Sequence, residues 1–93
     1  MTDPLAALRD KFCVRTAQDL VQFRALIQGD LNAKALRHLV HGLAGAAGTF
    51  GFPTLSEAAG LIDDDYAAGR IPLPAALDRL ERELRAVAQL KTS

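Results

Sequence analysis

Apolar residues recur at three- and four-residue steps along almost the whole chain and nowhere alternate at the two-residue step of a half-buried strand. The first run, Leu5, Leu8, Phe12, Leu20, Phe23 and Ile27, predicts a helix with Pro4 at its first position and Thr2 or Asp3 as its cap. It is the longest run, which leaves room for a bend near Thr16 and for an extension beyond its neighbours. Gly29 supplies a left-handed stop, Asp30 or Asn32 a new cap, and Leu36, Leu39, Val40, Leu43, Ala47 and Phe50 a second stripe. After the break at Gly51-Phe52-Pro53, the segment Thr54-Leu55-Ser56-Glu57 reads as a capping box. It opens a third helix with Leu55, Ala58, Ala59, Leu61 and Ile62 on its apolar positions and Gly69 at its end. Pro74 then starts a fourth helix, whose buried row is Leu77, Leu80, Leu84, Val87 and Leu90. Four amphipathic helices with short connections predict an all-α fold, an antiparallel up-down-up-down four-helix bundle forming one domain over residues 1–93.

The second helix carries a conflict between periodicity and composition. Four of the chain's seven glycines, Gly42, Gly45, Gly48 and Gly51, fall within ten residues of its C-terminal half. A glycine inside a helix costs about 1 kcal/mol relative to alanine, so three of them forfeit about 3 kcal/mol. With Leu36 as zero, the apolar stripe lies within about 60° of the core direction, whereas His41, Gly48 and Gly45 fall at about 140°, 120° and 180°. These three share one outward strip, so the imidazole stands over a track without side chains, and that suits a nucleophile that a bulky partner must reach. Lys34, Arg37 and His38 lie one or two turns earlier on the same side.

Composition narrows the classes of function. Eleven basic residues balance eleven acidic ones, which leaves no field to attract a nucleic acid or an anionic membrane. No segment approaches the ~20 apolar residues of a membrane span, and no basic-then-apolar leader precedes the first helix, so the expected location is the cytoplasm. The lone Cys13 and two histidines supply no metal set, and Cys13 reads as a core or boundary thiol. No phosphate-cradling Gly-x-x-x-x-Gly-Lys loop and no nucleophile-base pair appears, so neither ATP use nor a self-contained enzyme is expected. With four helices to close a bundle unaided, a monomer is the simpler expectation.

His41-x-Leu43-x-Gly45, with Gly51 ten residues after the histidine, resembles the signature of the histidine-containing phosphotransfer (HPt) domain. The continuation Phe50-Gly51-Phe52-Pro53-Thr54-Leu55-Ser56-Glu57-Ala58-Ala59 is similar to that family as well. The resemblance implies a helical bundle that relays phosphoryl groups in two-component signalling. It implies His41 as the phospho-accepting nucleophile, receiver domains of response regulators and a hybrid histidine kinase as partners, and no cofactor of its own, Mg²⁺ residing in the partner receiver. Gly42, Gly45 and Gly48 then permit docking. The family usually carries lysine three residues after its histidine, where this chain has Ala44. Arg37 and Lys34 are candidates to offset part of the phosphoryl charge; otherwise the partner supplies it.

Counting eleven residues beyond the turn at Phe52-Pro53 brings Asp63 and Asp64 level with His41, where either can accept a hydrogen bond from the ring and select a tautomer. A plain solvated acidic turn is the competing reading of Asp63-Asp64-Asp65. Ala44 supports a second functional class, a helical interaction module that binds a receiver or histidine kinase without accepting phosphate.

Overall fold

The computed structural model describes residues 3–91. Four helices follow in order, α1 over Pro4–Leu26, α2 over Lys34–Thr49, α3 over Pro53–Ala67 and α4 over Pro74–Ala88, with a 3₁₀ turn at Gln89–Lys91. They form the antiparallel four-helix bundle, with α2 packed chiefly on α3 and α1 on α4. No helix among the described residues is long and apolar enough to cross a membrane.

Each helix starts for a local reason. Asp3 caps α1, its Oδ1 accepting from the Leu5 amide at 2.9 Å; Thr2, the other candidate cap, lies outside the described residues. Pro74 opens α4 as the sequence predicts. The predicted capping box does not form. Pro53, with its fixed φ, starts α3 two residues early, Phe52 becomes the cap without a side-chain bond, and Glu57 pairs with Arg79 at 3.3 Å. Likewise Ala33 precedes α2, and Asp30 Oδ1 accepts from the Asn32 amide in the preceding turn and does not cap the helix. Gly29 is not left-handed; among the described residues the positive-φ ones are Gly51 at 87° and Gly69 at 75°, at the ends of α2 and α3.

The core is one cluster. Phe23, Leu36, Val40, Leu43, Leu55, Ile62, Leu80 and Leu84 are fully buried, and the thiol of Cys13 is buried with them. Phe12 stacks on Phe50 and Phe52, ring centroids 5.3 and 5.5 Å away, which ties the α2–α3 turn to α1. α1 runs unbroken through Thr16, whose Oγ1 donates to the Phe12 carbonyl at 2.7 Å.

Several expected core positions face solvent. At 23 residues α1 outruns neighbours of 15 and 16, so Leu5 and Leu8 stay largely exposed on its first turns. Leu61 sits about 240° from Leu55 around α3, and Ile62 takes the core direction instead. Leu90 falls in the 3₁₀ turn, whose tighter winding takes it off the α4 stripe.

Candidate functional site

Packing α2 on α3 fixes which α2 side chains meet α3 and which face solvent. Leu36, Leu39, Val40, Leu43 and Ala47 enter the core, and that choice of face sends His41 outward with 75% of its side chain exposed. Opposite it on α3 stands Asp63, Oδ2 at 3.0 Å from His41 Nδ1. A carboxylate only accepts, so this bond places the ring proton on Nδ1 and leaves the Nε2 lone pair for an electrophile. Asp64 is exposed and makes no hydrogen bond to His41, because a step of one residue turns its side chain about 100° away.

An open cleft of about 540 Å³ lies beside the imidazole, lined by Lys34, Arg37, His38, His41, Asp63 and Tyr66 among others. Three basic or titratable side chains of α2 therefore sit on the N-terminal side of His41. On its C-terminal side Ala44 is half-buried, its carbonyl accepting from Ser56 Oγ at 2.7 Å. The cleft thus has cations on one side of His41 only. Among the described residues no three of His, Cys, Asp or Glu come together as metal ligands.

The glycines divide into two kinds. A Cβ at Gly42 or Gly45 would meet nothing within 4 Å, so both leave the surface bare toward solvent. A Cβ at Gly48 would lie 3.2 Å from Ser56 Oγ, so Gly48 also serves the close approach of α3 to α2. Thr49, one turn after Gly45, borders a second cleft with Leu5, Arg9, Phe50 and Gly51. The bare strip therefore runs from His41 toward the exposed leucines of α1.

One contributor escapes sequence reasoning. Tyr66, buried at the C-terminal end of α3, donates its hydroxyl to the Leu31 carbonyl at 2.5 Å and carries the Arg37 guanidinium 5.8 Å above its ring. Burial pushes its phenol above the ordinary value, with Arg37 opposing, so it remains a donor. The spacing Asp63-x-x-Tyr66, one helical turn, was the available signal.

A family model described as Hpt domain matches residues 7–90 of this chain. No curated protein and no solved structure matches it.

Proposed function

Because the chain belongs to the Hpt domain family, which implies histidine phosphotransfer in phosphorelays, we propose that His41 takes a phosphoryl group from the aspartate of a response-regulator receiver domain and passes it to another receiver. The observation that carries this reading is the exposed imidazole held through Nδ1 by Asp63. In the forward step the Nε2 lone pair forms the N–P bond while the P–O bond to the donor aspartate breaks. That bond's electron pair returns to the aspartate carboxylate. The Nδ1 proton stays in place against Asp63, whose charge offsets the positive charge developing on the ring. Onward transfer is the same step reversed onto a second aspartate.

Such a transfer needs alignment and charge neutralisation more than covalent assistance from the protein. The receiver brings Mg²⁺, and this chain brings no cofactor. Arg37 and Lys34 offset phosphoryl charge from the N-terminal side of His41, where Ala44 offers none. Gly42 and Gly45 let the partner's backbone approach the nucleophile, and Leu5 and Leu8 supply apolar contact at the end of the strip. The donor receiver belongs to a hybrid histidine kinase or to a separate regulator.

The test is transfer from a panel of labelled phospho-receivers to the wild type and to His41→Gln, with the products challenged by acid and alkali. Rapid, acid-labile label that disappears in His41→Gln supports the relay. Receiver binding that survives His41→Gln, with no label on the wild type, selects the non-transferring module that Ala44 favours.

A further inference from the structure

His41 and Arg37 lie one turn apart on α2, and Asp63 and Tyr66 lie one turn apart on α3. The antiparallel packing matches them as two rungs: His41 on Asp63 at 3.0 Å, and Arg37 on the ring of Tyr66 at 5.8 Å. All four line the same cleft. The lower rung differs from an ordinary ion pair in one respect. An aromatic face attracts the guanidinium without cancelling its charge, so a cation held this way still presents its full charge and its donors to an anion. The ring itself has little freedom. It is buried, and its hydroxyl is bonded to the Leu31 carbonyl in the segment that leads into α2.

We propose that Tyr66 is a positioning residue that holds Arg37 as the cation facing the phosphoryl group on His41, in place of a lysine at position 44. This rests on the relay reading above. The side chain of Arg37 is long enough to span the one-turn interval to His41, and a stacked guanidinium gives up fewer rotamers than a free one when it meets a phosphoryl oxygen. Tyr66 touches neither the phosphoryl group nor the imidazole. It acts through Arg37.

The experiment measures transfer from a phospho-receiver to the wild type, Tyr66→Phe, Tyr66→Leu, Arg37→Gln and the Arg37→Gln/Tyr66→Leu double variant, with His41→Gln as the control. Tyr66→Phe keeps the ring and should transfer at the wild-type rate, although it loses the bond to Leu31. Tyr66→Leu should slow transfer about two- to fivefold, the range of an exposed cation–π contact. In the Arg37→Gln background the same change should have no further effect. Multiplying effects, or an equal loss in Tyr66→Phe, would overturn the proposal, since either result marks a structural role. A readout that needs no variant is the Arg37 Nε–H resonance, which should move when His41 of the wild type is phosphorylated. A resonance that stays put, with His41 shown to be labelled, also overturns it. Absence of any His41-dependent label overturns the relay reading itself, and the proposal with it.

Discussion

Gly45→Ala separates the two uses a helix can have for glycine. Position 45 lies in the interior of α2, one turn after His41, and a methyl group there meets no heavy atom within 4 Å. Nothing in the isolated protein opposes the change, so the full helix-propensity gain of about 1 kcal/mol should appear as stability. For a domain of this size that corresponds to a rise in Tm of about 4–8 °C. Gly42→Ala meets equally open space and should behave alike, the pair giving about 2 kcal/mol. Gly48→Ala should not. Its methyl would lie 3.2 Å from Ser56 Oγ and disturb a hydrogen bond to the Ala44 carbonyl worth about 1 kcal/mol, leaving a net effect near zero. Thermal and urea unfolding followed by circular dichroism measure all three. If the bare strip exists for a partner, the added methyl at 45 overpacks a close interface at about 1–3 kcal/mol. Transfer from a phospho-receiver should then fall at least fivefold, while phosphorylation by a small donor such as phosphoramidate is unchanged. A stabilised Gly45→Ala protein that accepts phosphate from its receiver at the wild-type rate would refute the access argument, and a destabilised one would refute the reading of the open surface.

Three further changes test other parts of the site and fold. Asp63→Asn keeps an acceptor for Nδ1–H but removes the charge, and at about 1 kcal/mol of lost charge assistance transfer should slow about fivefold with unfolding little altered; quench-flow against labelled receiver measures it, and an unchanged rate would remove Asp63 from the mechanism. Leu8→Asp, on an exposed turn of α1, should weaken receiver binding in titration calorimetry and leave Tm within a few degrees, whereas a large drop in Tm would mean that Leu8 belongs to the core. Asp19 is buried with Oδ2 lacking a hydrogen bond, Arg15 Nε standing 3.4 Å away, and desolvation raises its carboxyl above the ordinary range despite Arg15. A group that binds its proton more tightly when folded makes stability fall as pH rises from the ordinary carboxylate range through its folded value, so Asp19→Asn should be more stable than the wild type at neutral pH. The gap should close as pH falls toward 4, and urea midpoints across that window that show a constant gap would refute it.

The number and order of the helices and most of their inner faces were legible because each depends on periodicity, which one chain displays in full. Their starts were less so. Thr54 and Glu57 have the right spacing for a capping box, yet Pro53 pre-sets the helical φ two residues before the start that box would give, and a rigid ring competes well with a side-chain hydrogen bond. The exposed ends were missed for a related reason: the stripe of Leu5 and Leu8 matches that of Phe12, and only the shorter length of the neighbouring helices leaves it uncovered. Within the site, counting back from the α2–α3 turn reached Asp63 and Asp64 together. The choice between them depends on the rotation of α3 about its axis, which Ile62 and Tyr66 settle by entering the core. Tyr66 is marked in the sequence only by its one-turn spacing from Asp63, because a buried aromatic otherwise reads as core, and its ring does serve the core while its upper face lies under Arg37.

The glycines raise the question of what keeps α2 helical. It has no side-chain cap, no acidic residue in its first turn and no basic residue in its last, so the usual end effects contribute nothing. Three interior glycines subtract about 3 kcal/mol more. Leu36, Val40 and Leu43, all fully buried, contribute about 1.5–3 kcal/mol each by leaving water, which outweighs that deficit before the contacts of Ala47 are included. The helix is therefore held by its inner face alone, and its outer face is free to lack side chains. This explains how His41 can stand on a bare strip of α2: a helix anchored along one whole side by a neighbour can present such a strip on the other without unravelling. The packing that compensates for the glycines is the same packing that brings Asp63 and Tyr66 of α3 to the edge of the cleft, opposite His41 and Arg37.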